Sequence, residues 1–290
     1  MKIGRGARKT GRGGEASPTL PVPISSDPRL ITLLTDFGTS DYFVAALKGV
    51  IFSVNPRAHI VDITHEIPPQ DIEAGAFALL ASYRAFPPKT IHVAVVDPGV
   101  GSTRRPVLVV AGLHYFIGPD NGLFSYIYET EGKFQIFELT NNKFFQQPVS
   151  PTFHGRDIFA PVAAFLSTGV KPADFGNEIN DPFRLASLNP RTLKTGKVEG
   201  RIIHIDRFGN CITNIAHECL SKNDESRAKL RIKGKTIRSF RRFFSDERVS
   251  TEKLFAVCGS AGFLEIACYR ESAARVLGVR RGDVVTLEKG

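Results

Sequence analysis

The sequence predicts an α/β N-terminal domain built on a mostly parallel sheet, followed by an all-β, barrel-like C-terminal domain. Three observations carry this prediction. Residues 30–96 alternate between strand-like and helix-like runs. Over residues 177–196 the composition turns to Asn, Asp and Pro with little periodicity. From residue 198 onward the apolar runs shorten to strand length. The expected units are a tail (1–28), an α/β domain (29–176), a linker (177–196) and a β domain (197–290).

Residues 1–15 hold five basic side chains, five glycines and one acid, Glu15. Such a segment cannot bury enough apolar surface to fold, so a disordered basic tail is expected. Leu30 to Thr35 reads as a first strand, ending at Asp36-Phe37-Gly38. Asp41 is a suitable helix N-cap, and Val44, Leu47, Ile51 and Val54 recur at helical spacing behind it. Ala58 to Thr64 is a second strand, and a second helix runs from about Asp71 to Tyr83. Thr90 to Val96 is a β-branched apolar run of the kind buried on both faces of a sheet. Strand, helix, strand, helix, strand implies parallel pairing through right-handed crossovers, a Rossmann-like arrangement.

Val107 to Ala111 and His114 to Ile117 form an expected hairpin, followed by the turn Gly118-Pro119-Asp120-Asn121-Gly122. A short helix, a strand around Gln135 to Leu139, a polar loop and a helix from Ile158 to Leu166 complete the first domain. The second holds runs at Val198 to Ile205, Cys211 to Ile215, Ala228 to Ile232, Leu254 to Val257, Phe263 to Ala267 and Val284 to Leu287. A brief helix, Ser272 to Leu277, interrupts them.

The net charge of +9 suggests nucleic acid until it is located. The tail and the segment from Arg227 to Arg242, with eight basic residues and no acid, account for all of it and leave the rest of the chain slightly acidic. Arg227, Lys229, Arg231, Lys233 and Lys235 alternate with apolar residues, which reads as an edge strand with one solvated cationic face. No stretch approaches the ~18 apolar residues of a membrane span, and residues 1–28 lack an apolar signal core, so a cytoplasmic protein is expected. Cys211, Cys219, Cys258 and Cys268 form no Cys-x-x-Cys pair, which points to free thiols rather than a metal site.

Three polar clusters interrupt apolar elements. Asp36 ends the first strand, where a carboxylate can accept two hydrogen bonds from a ribose diol. Asp97 ends the central strand, with Arg104 close enough along the turn to pair with it. His154 lies in Thr152-Phe153-His154-Gly155-Arg156-Asp157. Each also has a plain structural reading: Asp97 as a turn former before Pro98-Gly99, Arg104 as a surface charge, His154 as a satisfied loop histidine. In the β domain, Asp206, Asn210 and Ser260 read equally well as turn residues.

Taken together, Leu33 to Gly38, Val61 to His65, Val96 to Gly101, Gly118 to Leu123, Thr152 to Asp157 and Ile205 to Asn210 resemble the S-adenosyl-L-methionine hydroxide adenosyltransferases, relatives of fluorinase and chlorinase. The resemblance covers about residues 30 to 289. It implies a homotrimer with each active site between the first domain of one subunit and the second domain of the next. The implied reaction is S-adenosyl-L-methionine plus water giving adenosine and L-methionine. The resemblance assigns the catalytic triad to Asp97, Arg104 and His154, ribose binding to Asp36, a pocket wall to Phe153, the methionine end to Asp206 and Ser260, and an adenine contact to Asn210. Phe244 matches an adenine-stacking aromatic loosely.

This chain departs from the halogenating relatives in carrying Asp97 in place of a tyrosine and Gly155 in place of a halide-contacting serine. It also lacks their insertion, since only about a dozen residues separate Arg105 from Gly118. A carboxylate repels halide and welcomes water. An ordinary aspartate, pKa ~3.9, cannot deprotonate water, pKa ~15.7, outright, because that is uphill by roughly 16 kcal/mol. The expectation is that Asp97 and His154 hold one water and take its proton as the C–O bond forms, while Arg104 orients the carboxylate or stabilises a hydroxide. No metal and no cofactor is implied, and neither a membrane nor a nucleic-acid partner. The alternatives are a halogenase, or a non-catalytic adenosine-ligand sensor whose basic tail contacts nucleic acid.

Overall fold

The computed structural model of the chain describes residues 30–220, 227–245 and 252–289. The expected basic tail, residues 1–28, lies outside the described residues. Strands β1 (Leu30–Thr35), β2 (His59–Thr64) and β3 (Ile91–Val95) alternate with helices α1 (Phe43–Val54) and α2 (Ile72–Ser82). β1 pairs in parallel with both β2 and β3. Asp71 caps α2, its carboxylate accepting from the Ala74 N–H. Asp41 does not cap α1. The cap is Tyr42, already helical at φ −74° and ψ −8°, and no side chain bonds the helix end. A capping carboxylate needs an extended backbone at the cap itself to reach back to the first free N–H groups, and here that position is helical.

The sheet continues through β4 (Pro106–Ala111), β5 (His114–Pro119), helix α3 (Ser125–Glu131), β6 (Phe134–Glu138), helix α4 (Ala160–Ser167) and β7 (Glu178–Ile179). Its order is β2-β1-β3-β5-β4-β6-β7. The pairs β1–β2, β1–β3 and β3–β5 are parallel, whereas β4–β5, β4–β6 and β6–β7 are antiparallel. The sheet is thus evenly mixed, which corrects the expectation of a mostly parallel one. A two-residue connection, Gly112-Leu113, can join only antiparallel neighbours, and it is β5, not β4, that docks on β3.

That order matters for the site. β1, β3 and β5 end at one edge of the sheet, and β4 begins there. Residues just after β1 and β3 and just before β4 are therefore gathered at a single edge. The sheet is covered on both faces, so the strands contribute alternately to two cores. Leu34, Ala94 and Val96 pack with Phe77 of α2 and Ile127 of α3, while Leu33, Val93 and Val95 pack with Leu47 of α1 and Val162 of α4. All of β3 is buried. Each fully buried Val or Leu among them stabilises the fold by roughly 1.5–3 kcal/mol, which anchors the strand ends that carry these loops.

The opposite end of β3 holds a buried polar pair. His92 Nδ1 lies 2.8 Å from Thr32 Oγ1, its Nε2 lies 3.4 Å from His114 Nδ1, and its ring stacks on Phe116. Burial, aided by the adjacent His114, pushes the His92 pKa down to about 3. The unfolded chain takes up this proton below pH ~6.5 and the folded chain refuses it until far lower. The stability contributed by neutral His92 is complete above pH ~6.5 and is lost as pH falls toward 3, at up to roughly 1.4 kcal/mol per pH unit. Denaturant unfolding between pH 7 and 4 should show this decline and a flatter one in His92→Gln; equal slopes would contradict the assignment.

The remaining strands are β8 (Arg191–Thr192), β9 (Val198–Ile205), β10 (Cys211–Ala216), β11 (Lys229–Ile232), β12 (Lys235–Ile237), β13 (Phe240–Arg241), β14 (Leu254–Cys258), β15 (Phe263–Cys268) and β16 (Val284–Glu288), with helix α5 (Ala273–Leu277) before the last. They form one sheet in the order β12-β11-β16-β9-β10-β15-β14-β13, with β8 on β9. β11 is not the edge strand expected from its charge pattern. A tight turn through Lys233 and Gly234, both at positive φ, folds β12 onto its free side. Its cationic face carries internal counter-ions, Arg231 with Glu288 at 2.8 Å and Lys233 with Asp283 at 2.9 Å.

The two sheets meet across α2. His204 of β9 stacks on Phe77, Arg201 reaches Glu73 at 3.4 Å and Arg281 reaches Asp71 at 2.6 Å. Among the described residues, no helix is long and apolar enough to cross a membrane.

Candidate active site

The loop from β3 to β4 leaves and re-enters the sheet at the same edge, so Asp97 and Arg104 face each other across its mouth. The loop is braced by its own bonds: Val100 N–H to the Asp97 carbonyl, Ser102 Oγ–H to the Gly99 carbonyl, and Arg104 N–H to Ser102 Oγ. Gly101, at φ +76°, packs directly against the Pro151 carbonyl. A side chain there would push the loops apart, so glycine lets the Asp97–Arg104 loop lie against the loop carrying His154.

Arg104 Nε donates to both Asp97 carboxylate oxygens at 3.0 Å, and Nη2 donates to Oδ2 at 2.5 Å and toward His154 Nδ1 at 2.7 Å. The Asp97 side chain is 5 % exposed and that of Arg104 9 %. A guanidinium has only donors to offer, so His154 Nδ1 must accept, and the ring proton therefore sits on Nε2. Burial holds the His154 pKa below the usual histidine value, and the Arg104 charge lowers it further. Among the described residues Arg104 Nη1 is buried without a hydrogen-bond partner, and its guanidinium lies over the Phe159 ring.

His154 stands at the head of a π-helical turn, Gly155–Phe159, that leads into α4. π-turns of this kind are frequent at functional sites. Asp157, fully buried, accepts from Arg156 Nε and Nη2 and from the Ser150 N–H, pinning both ends of the His154 loop. Arg156 in turn lies over the Phe153 ring.

Asp36, at the end of β1, accepts the Gln70 N–H on Oδ2 at 2.8 Å. Asp36, Asp97, Phe153 and His154 line one cleft of about 440 Å³, together with Phe37, Phe43, Gln70 and Gly155. Phe37, Phe43 and Phe153 pack edge-on or tilted against one another as its aromatic wall. Phe37 and Phe43 were missed in the sequence, although Phe37 directly follows Asp36 and Phe43 opens α1. A Cβ at Gly155 would meet Leu47, Phe153 and Phe37 at ordinary contact distances of 3.5–3.6 Å. Crowding therefore does not explain the absence of a side chain there.

The β-domain candidates lie elsewhere in the chain. Asp206 Oδ1 accepts the Phe208 and Asn210 N–H groups and Oδ2 accepts Asn210 Nδ2, an internal clasp that fixes the loop. Asp206 and Asn210 line a second cleft of about 990 Å³ with Phe208, Phe244 and Tyr269. Ser260 is exposed on the turn before β15 and lines neither cleft. One chain therefore assembles Asp36, Asp97, Arg104, Phe153 and His154, and keeps Asp206, Asn210 and Ser260 apart from them.

The arrangement can orient a small neutral nucleophile between a carboxylate and an imidazole N–H at the end of an aromatic cleft. Comparison with known proteins points the same way. Residues 31–176 match the SAM hydroxide adenosyltransferase N-terminal domain and residues 200–286 the C-terminal domain of that family. The chain is 37% identical over 271 residues to (R)-S-adenosyl-L-methionine hydrolase of Methanocaldococcus jannaschii, covering 89% of this chain and 95% of that one. It is 30% identical over 227 residues to a fluorinase of Actinoplanes sp., covering 69% and 76%. A crystal structure of an uncharacterized conserved protein from Thermotoga maritima superposes with a TM-score of 0.82 at 36% identity, covering 89% of this chain and all of that one.

Proposed function

Because the chain belongs to the SAM hydroxide adenosyltransferase family, we propose that it hydrolyses S-adenosyl-L-methionine to adenosine and L-methionine by attack of water at the ribose C5′. The observation that carries this reading is the Arg104 bridge: one guanidinium binds the Asp97 carboxylate and His154 Nδ1 at the end of the Asp36 cleft.

The roles follow from the hydrogen-bond inventory. Water attacks C5′, the C5′–S bond breaks, and its electron pair returns to sulfur, which leaves as a neutral thioether. No acid is needed for departure; one water proton must be accepted. His154 Nδ1 already accepts from Arg104, so the ring serves as a donor through Nε2 and orients the water. Asp97 takes the proton as the C–O bond forms, and Arg104 keeps the carboxylate in place. Holding His154 neutral avoids a second cation beside Arg104. The same carboxylate selects the nucleophile: like charges 4 Å apart at an effective dielectric of 20 repel by about 4 kcal/mol, a penalty that the Arg104 charge offsets in part and that halide meets and neutral water does not.

The ribose diol binds Asp36, and the cleft aromatics exclude bulk water. In this reading Asp206 and Ser260 meet the methionine end and Asn210 the adenine from a neighbouring subunit of a homotrimer. That placement is supported by their separation from Asp97 within one chain. The sulfonium is its own leaving group, so the reaction calls for no cofactor and no metal. The finer fold assignment, Rossmann-like for the first domain and an all-β barrel for the second, belongs to the same reading, as does a cytoplasmic setting for four free thiols. The substrate form is the (R)-sulfonium named for the archaeal relative.

The test is direct. Purified protein incubated with S-adenosyl-L-methionine should yield adenosine and methionine in equal amounts, in chloride or fluoride buffers alike. No adenosine, or a 5′-halo-5′-deoxyadenosine in its place, would sink the reading.

A further inference from the structure

Gln70 has φ +66°, in the left-handed region that a long non-glycine side chain rarely adopts. The strain has an evident use: it turns the Gln70 N–H onto Asp36 Oδ2 at 2.8 Å, inside the cleft that both residues line. Strained backbone persists only where its surroundings hold it. Here the hold comes from the next residue. Asp71 N–H bonds the Pro68 carbonyl at 3.0 Å, and Ile72 N–H bonds the Gln70 carbonyl at 3.1 Å. The Asp71 carboxylate divides its two oxygens between the Ala74 N–H of α2 at 3.0 Å and Arg281 Nη1 at 2.6 Å.

Arg281 belongs to the other sheet. It sits in the turn before β16, which is fixed to β9 by Gly282 N–H to the Ile202 carbonyl at 2.8 Å and by Ile202 N–H to the Asp283 carbonyl at 2.9 Å. A continuous path therefore runs from β9 through Arg281, Asp71 and the strained Gln70 peptide to Asp36. Among the described residues, Arg201 also bridges the two sheets, pairing with Glu73 at 3.4 Å and not with Asp71; Arg281 Nε comes within 3.8 Å of the same Glu73, but only Arg281 reaches Asp71.

We propose that Arg281 is a positioning residue for the nucleoside end of the substrate: through Asp71 it holds the left-handed Gln70 peptide against Asp36 and so fixes the carboxylate that meets the ribose. This deepens the proposed function and rests on its placing the ribose at Asp36. It also makes substrate affinity depend on contact between the two domains of a single chain. An arginine suits the task because Asp71 is only partly buried, and a guanidinium holds direction where a lysine supplies mainly charge.

The test compares full-length Arg281→Ala, Arg281→Lys and Arg201→Ala with wild type, measuring KM and kcat for S-adenosyl-L-methionine and, separately, the Kd for adenosine by calorimetry. Networked contacts of this kind couple by an amount that predicts an increase in KM and adenosine Kd of about three- to tenfold in Arg281→Ala, with kcat changed less than about twofold. Arg281→Lys should recover part of the loss, and Arg201→Ala should stay near wild type in both constants. A lower melting temperature in Arg281→Ala with unchanged KM and Kd would overturn the proposal, leaving a contact of stability alone. Equal losses in Arg201→Ala would overturn it too, as would failure of the wild type to bind adenosine. If the wild type binds adenosine but makes none from S-adenosyl-L-methionine, the hydrolase reading fails, and the adenosine Kd values still decide this one.

Discussion

Asp97→Asn should lower kcat by about 10³-fold, a loss of about 4 kcal/mol of transition-state stabilisation, with a much smaller change in KM. The substitution keeps the shape of the side chain and removes both the charge and the proton acceptor. It also turns an amide N–H toward Arg104, whose Nε and Nη2 both donate to Asp97 in the native site. No neighbour takes over, because His154 Nδ1 is committed to Arg104 and its Nε2 carries the proton. Steady-state kinetics with adenosine detection reads the effect; a variant within tenfold of wild type would show that Asp97 neither accepts the proton nor holds the water.

Arg104→Ala should damage both stability and turnover. It leaves the Asp97 carboxylate, 5 % exposed, without its counter-ion. Removing one partner of a buried pair typically costs about 3–5 kcal/mol, since the remaining charge stays desolvated. The guanidinium also fixes the His154 tautomer, so its loss frees the ring to take the wrong one. Turnover should fall by about 10² or more. Arg104→Lys should restore much of the stability and little of the rate, because a single ammonium cannot serve both carboxylate oxygens and the imidazole at once. Denaturant unfolding and kcat measured on the same preparations separate the two effects, and a fully active lysine variant would contradict the bridging role.

Much of this site is local, and that is why it was legible in the sequence. Asp36 and Asp97 stand where apolar strand runs stop, and Arg104 is seven residues beyond Asp97 in a loop too short to carry it far. The βαβαβ rhythm was legible because β1 and β3 are almost wholly buried and read as mainly apolar, strand-length runs, interrupted by Thr32 and His92. Other features depend on packing that no local pattern records. The evenly mixed sheet follows from β5 docking on β3, a choice between two strands of similar composition. Asp41 looked like a cap, but the backbone was already helical at Tyr42. The charge pattern of β11 showed a cationic face but not its counter-ions, Glu288 of β16 for Arg231 and Asp283 just before β16 for Lys233. The His154 tautomer, the left-handed Gln70 and the reach of Arg281 to Asp71 are long-range geometry. In the proposed mechanism His154 donates to the water through Nε2 instead of sharing in taking its proton, because its Nδ1 faces Arg104.

If water attacks the ribose carbon of S-adenosyl-L-methionine, turnover in water enriched in oxygen-18 leaves its mark in the products. Mass spectrometry should find one heavy oxygen in adenosine, at the 5′ position, and none gained in methionine. Adenosine without the label, or products from cleavage at another carbon of the sulfonium, would contradict it.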